Sequence, residues 1–380
     1  MLSDYRLQIT DYRLRITDYG FLQSAICNQQ SNKSMNKNDF QRFVEYLMSK
    51  NQVIAPQHDV EGYLHLKELK ETKDLYLGTE LPLDSWKWYL LPPDLKMFEY
   101  QKNDFNPIPP IKDKLILLGV SILDLQAITL LNQVFEKDWY YQEIKKKAIV
   151  IGTSFVPEEN FYKFFEKFEE NKLEHLQFDI FLAVQKKGYQ IFTGSEDGQR
   201  LLDKFSAKGA VPAGRQGSAS GGGFADYQHI EYAGPIREEG LDPQMVAIKD
   251  AMQNRHNQKI WDDLGKRCMQ CGKCTIACPV CFCFRMYDQS GLGLGSRNRC
   301  WDSCFYNEFT QVAGPVPEAP KHRFFNTTAQ KIYFWYEHHF VRTPQSFSLP
   351  GCVGCGRCSR TCPADIDIFT TIKEILKSKK

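Results

Sequence analysis

Two stretches of the chain repeat one unusual spacing. CMQCGKCTIACP at 268–279 and CVGCGRCSRTCP at 352–363 both read C-x2-C-x2-C-x3-C-P. The first run holds Cys268, Cys271, Cys274 and Cys278, the second Cys352, Cys355, Cys358 and Cys362. This is the loop of bacterial ferredoxins, in which three cysteines wrap one four-iron cube and the fourth ligates the neighbouring one. It predicts Cys268, Cys271, Cys274 and Cys362 around one [4Fe-4S] cluster, and Cys352, Cys355, Cys358 and Cys278 around a second. Such crossing forces the two runs into contact whatever folds between them. Gly272, Gly354 and Gly356 can take the left-handed turns that aim backbone N–H groups at sulfur. Structural zinc is the competing reading, since paired C-x2-C knuckles also build four-cysteine sites. Zinc needs pairs rather than two runs of four, and the spacing favours iron.

At 380 residues the chain can bury ordinary cores without disulfide staples. Clustered cysteines in a chain of this length point to metal ligands in a reducing compartment, and a cytoplasmic protein is expected. The longest apolar run, LILLGVSIL at 115–123, is too short to span a bilayer. The net charge of +2 calls for no nucleic acid and no other polyanion.

The fold class expected is α+β: an N-terminal α/β layer domain followed by a mostly helical, loop-rich ferredoxin-like dicluster domain. Residues 1–34 open with DYRLQIT and DYRLRIT, a repeat-derived extension that also holds Cys27. In residues 35–205, apolar runs such as KLILLGV, KAIVIGT and DIFLAV alternate with helical patterns such as LDLQAITLLNQVF and NFYKFFEKFEEN. The helix at NDFQRFVEYLMSK should be capped by Asn38 or Asp39 and bury Phe40, Phe43, Val44 and Leu47. Residues 206–228 are rich in Gly, Ser and Ala and read as a flexible linker. Residues 229–380 form the cysteine half, with its two motifs at about 259–289 and 343–372.

Four cysteines of this half lie outside the runs: Cys281, Cys283, Cys300 and Cys304. They are candidate ligands of a third metal site, against the commoner fate of buried thiols under Phe282, Trp301 and Phe305. A step of four would suit Cys300 and Cys304 to one helix face. His338 and His339 read as packing residues, and GLGLGS at 291–296 lacks the strand and helix that a phosphate loop needs. Residues 324–347 hold eight aromatics, enough to pack on clusters and to dock a partner.

CMQCGKCTIACPVCFCF, RCWDSCFYNEFTQVAG and GCVGCGRCSRTCPADIDI together resemble the beta, iron–sulfur subunit of cytosolic sulfhydrogenases, the bidirectional nickel–iron hydrogenases. The A subunit of anaerobic sulfite reductase is also similar, and Asp302 in WDSC sides with the hydrogenase version. Fainter likeness runs through NQVIAP, WYLLPP and AIVIG. The resemblance implies an electron-transfer subunit with no catalytic residues of its own. It would work between a flavin/NAD(P)-binding subunit and a nickel–iron, or alternatively sirohaem, catalytic subunit. The family's His-Pro-Cys and further cysteines are missing from GVSILDL and IGTSFVPEENF. A zinc-binding scaffold is the alternative from another class.

Overall fold

The computed structural model describes residues 34–377 apart from 102–103, 159–168, 210–226, 237–242, 254–258, 292 and 314–320. The opening repeat, Cys27, most of the expected linker and most of the helix at NFYKFFEKFEEN lie outside the described residues.

The fold is α+β. Strands β1 (Met35–Asn36), β2 (Gln52–His58) and β3 (Leu64–Glu68) precede β4 (Asp94–Gln101) and β5 (Asp104–Pro107). After these come β6 (Leu115–Val120), β7 (Ala148–Thr153), β8 (Ile180–Gln185), β9 (Gly188–Thr193) and β10 (Gln228–His229). One sheet has the order β1-β9-β8-β7-β6-β2-β3, with β10 on β9. Its centre, β2-β6-β7-β8, is parallel, and β3 and β9 join antiparallel at its sides. LILLGV and AIVIGT are unbroken apolar runs because both faces of these strands are covered.

Side-chain alternation separates those faces. Ile116, Leu118, Ile149 and Ile151 meet the helix Lys37–Met48 through Phe40, Phe43, Val44 and Leu47. That helix is capped by Asn36, whose side chain accepts from the Asp39 amide, rather than by Asn38 or Asp39. Starting earlier leaves Asp39 in the first turn, where its charge favours the helix N-terminus. On the opposite face Leu115, Leu117 and Val150 meet the helices Ile122–Val134 and Trp139–Lys147. The same cluster takes in Val280, Leu349, Val353 and Cys355. The second cysteine run is therefore seated directly on the sheet domain.

A second sheet also joins the halves. The hairpin of β11 (Phe284–Ser290) and β12 (Gly295–Trp301) pairs through β12 with β4, and β4 with β5. The hairpin turn falls within GLGLGS, where the Gly291 amide donates to the Leu294 carbonyl. Contrary to the sequence reading, a strand, β11, does precede the segment, and Gly295 and Ser296 already belong to β12. Cys300 lies on β12 and Cys304 in the loop after it, so these two share no helix face. The helix Glu196–Gly209 runs through the first residues of the expected linker, and β10 takes up its end.

Candidate metal centre

Each cysteine run folds as a loop followed by a short helix, Lys273–Ala277 or Arg357–Arg360. Gly272 and Gly356 precede these helices with φ of 71° and 69°, where a side chain would strain the backbone. Two residues earlier the backbone is left-handed as well. Gly354 takes this position in the second run, and Gln270 takes it in the first at φ 54°. From these turns the Gln270 amide donates to Cys268 Sγ and the Gly354 amide to Cys352 Sγ, each at 3.4 Å. Amides held on sulfur in this way stabilise the anionic thiolate.

Two apolar cavities lie between the runs. Cys268, Cys271, Cys274 and Cys362 line one of them, walled by Phe305, Ile332 and Tyr336. Cys278, Cys352 and Cys355 line the other, walled by Val280, Val353 and Phe369. Cys358, Trp335 and Ile368 border both. The fourth cysteine of each run thus stands with the first three of the other.

Spacing among the sulfurs also bears on the occupant. A tetrahedral zinc with bonds of about 2.3 Å holds its sulfurs about 3.8 Å apart. Among the described residues, the trio of possible ligands lying within 4.8 Å of one another is Cys278, Cys281 and His339. Neither ferredoxin-type set is that tight, as expected where a four-iron cube separates the thiolates. Burial raises the pKa of the Cys268, Cys274, Cys355 and Cys358 thiols. A metal must displace their protons before it binds.

Buried donors and cations surround the cavities. The Trp335 indole N–H is buried with no acceptor among the described residues. An orphaned donor bordering both cavities fits a sulfur-rich occupant. Trp335→Phe should then lower the reduction potential of the bound centres by a few tens of millivolts, the worth of one hydrogen bond at about 1 kcal/mol. A potentiometric titration unchanged by the substitution would remove this role.

Lys87 is 3 % exposed and donates to the carbonyls of Cys281 at 3.0 Å and Thr275 at 3.3 Å. Lys331, at 2 % exposed, donates to the Phe305 carbonyl, Gln270 Oε1 and Asn307 Oδ1. No described carboxylate pairs with either ammonium. Two buried cations satisfied only by neutral oxygens suit a neighbour of net negative charge, such as a thiolate-bound cluster. Arg357, between Cys355 and Cys358, forms a buried two-bond pair with Asp124 at 2.7 and 3.0 Å.

Of the remaining cysteines, Cys281 lies beside the second cavity, its sulfur within 4.8 Å of Cys278 and His339, and Cys304 is buried in the core of the cysteine half. The Cys304 thiol hydrogen-bonds to Cys283, and Cys281 Sγ lies 3.4 Å from His339 Nε2. Cys300 points elsewhere, accepting from Arg285 Nε at 3.2 Å. His338 packs on Phe282 and Phe334, and burial lowers its pKa to about 4. Sequence reasoning missed Lys87, Lys331, Arg357, Asp124 and the placement of His339. Arg357 alone carried a signal, through its position inside the cysteine spacing.

Residues 267–366 match the family of 4Fe-4S dicluster domains. Along most of its length the chain is similar to sulfhydrogenase 2 subunit beta of Pyrococcus furiosus, at 27 % identity over 346 residues, 88 % of this chain and 96 % of that protein. No solved structure matches the chain. The dicluster domain and its hydrogenase relative make this an iron–sulfur protein of the electron-transfer kind. Among the described residues no helix is long and apolar enough to cross a membrane.

Proposed function

We propose that the chain is an electron-transfer subunit carrying two [4Fe-4S] clusters within a hydrogenase complex. Cys268, Cys271, Cys274 and Cys362 hold the first cluster, and Cys352, Cys355, Cys358 and Cys278 the second. The observation that carries the reading is the exchange of fourth cysteines between two cavities that share Cys358, Trp335 and Ile368 as a common wall. Bound clusters supply one-electron chemistry, and the common wall keeps them close enough to exchange electrons. The residues around them do the rest. Backbone amides donate to the Cys268 and Cys352 sulfurs, the Trp335 N–H is left to donate to a bound cluster, apolar walls exclude water, and Lys87 and Lys331 offset the added negative charge.

The partners in this reading are a flavin/NAD(P)-binding subunit on one side and a nickel–iron catalytic subunit on the other. It is supported by the hydrogenase name of the relative, itself a beta subunit. Protein prepared anaerobically should contain about eight irons and about eight acid-labile sulfides, all reducible by dithionite. The chain alone should reduce neither NAD(P) with hydrogen nor sulfite. Purification from its native cell should bring both partner subunits with it. Zinc in place of iron, or turnover by the lone chain, would sink the proposal, and a sirohaem partner would move it to a sulfite-reducing complex.

A further inference from the structure

We propose that a cleft in the sheet domain, lined by no cysteine, binds a small organic carboxylate with an apolar body.

The cleft lies where β7 and β8 begin and β9 ends, against the helices Ile122–Val134 and Trp139–Lys147. Its volume is about 390 Å³, and small-molecule sites usually measure about 300–1,000 Å³. Ile128, Val150, Leu173 and Phe178 give it an apolar floor. The frame around that floor is tied by Asp179. Its carboxylate accepts from the Val150 amide at 2.7 Å and from the Ser195 hydroxyl, and its carbonyl accepts from the Gly194 amide at 3.1 Å. Asp179 is thereby spent on joining strands.

Two donors of the cleft are left with protons to place. Half-buried Lys145, in the last turn of its helix, reaches one acceptor among the described residues, Gln177 Oε1 at 3.4 Å. That bond is long, and an ammonium has three protons to donate. No described carboxylate pairs with it. Asp197, also on the cleft, lies 3.6 Å from Arg200 and 4.0 Å from Lys114, while Lys146 is paired with Glu143 at 2.7 Å. Tyr232 is the second donor. Its oxygen accepts from the Gln177 amide, which leaves its own proton free. Gln177 is held for this by Asn132, whose amide donates to Oε1 and whose oxygen accepts from Tyr141 at 2.9 Å.

An ammonium and a phenol O–H above an apolar floor match a monoanion carried on a hydrophobic body. A phosphate dianion would need a second free cation, and a ligand amine would meet the charge of Lys145. Burial pushes the Lys145 pKa down, and an anion bound beside the ammonium relieves that cost. A carboxylate accepts from both donors at once, through its two oxygens. None of these groups touches a cysteine, so the site stands apart from the reading of the clusters.

The test is calorimetric titration of the full chain, prepared anaerobically, with benzoate and 3-phenylpropanoate. Benzamide and benzylamine serve as the neutral and cationic counterparts. Benzoate should bind about tenfold or more tightly than benzamide, the worth of one hydrogen bond to a charged group, and benzylamine should bind more weakly still. Lys145→Met should abolish the preference for the carboxylate. Tyr232→Phe should weaken the carboxylates and spare benzamide, and Ile230→Trp, on the wall of the cleft, should exclude all four compounds. Iron content should be the same in every variant. The comparison of benzoate with benzamide on the unaltered chain needs no substitution and decides where a variant fails to fold. Benzamide equal to benzoate, benzylamine tighter than benzoate, no binding of either carboxylate at millimolar concentration, or a preference that survives Lys145→Met overturns the proposal.

Discussion

Cys362→Ser should halve the iron of the protein, from about eight to about four, and the cluster lost should be the one built on the other run. Cys362 closes the cavity of Cys268, Cys271 and Cys274, so removing its sulfur deprives that set of a corner while Cys352, Cys355 and Cys358 keep Cys278. Two further variants identify the survivor. Cys271→Ser should leave the same electron paramagnetic resonance signal as Cys362→Ser, and Cys278→Ser the same signal as Cys355→Ser. All four should also lose the spin coupling that two adjacent reduced clusters produce. If Cys362→Ser instead matches Cys355→Ser, each run closes its own cluster and the crossed assignment fails.

The second large effect is expected at a charge pair rooted in the second cysteine run, rather than at a ligand. Arg357 and Asp124 are both fully buried, and Arg357 also donates to the Pro82 carbonyl at 2.9 Å. The pair fastens the second cysteine run to the start of the helix Ile122–Val134 on the sheet. Arg357→Met alone or Asp124→Leu alone leaves one charge buried without its partner and should cost about 3–5 kcal/mol. That is a large share of the 5–15 kcal/mol that holds an ordinary domain folded. The combined variant should recover most of the loss, because the second substitution removes the stranded charge. Denaturant unfolding of the four proteins measures the coupling. Singles that cost less than about 1 kcal/mol, or a double equal to their sum, would show that the pair does not work as a unit.

The segment that supplies Asp124 reads GVSILDL, where the family resemblance leads one to expect His-Pro-Cys. In this chain Ser121 caps the helix and Asp124 ties it to Arg357, so the segment does structural work without metal ligands. The pair crosses between residues more than two hundred positions apart and follows no local period. Nothing in the sequence could have announced it.

Local rules had more reach elsewhere. The buried face of the first helix, the apolar strands β6, β7 and β8 and the positive φ of Gly272, Gly354 and Gly356 all follow from residue type and period. The same rules misjudged the step from Cys300 to Cys304. Helical spacing fits the numbers, but pairing with β4 commits Cys300 to a strand, and a strand gains its hydrogen bonds from a partner remote in sequence. Gln270 was also illegible, because a glutamine gives no hint of a left-handed turn until its counterpart Gly354 is laid over it.

By itself the sequence determined the ligand chemistry. Four thiolates at fixed steps, twice, restrict the metal, the loop and the proline that ends it, since these depend only on bonds among neighbouring residues. Tertiary structure decided what surrounds that chemistry: the two apolar cavities and their common wall, the buried Trp335 N–H on that wall, the buried ammonium groups of Lys87 and Lys331, and the meeting of His339 with Cys281. Charge, solvent exclusion and hydrogen bonding at a metal centre act through space, and the groups that supply them here come from strands and helices that only packing makes neighbours.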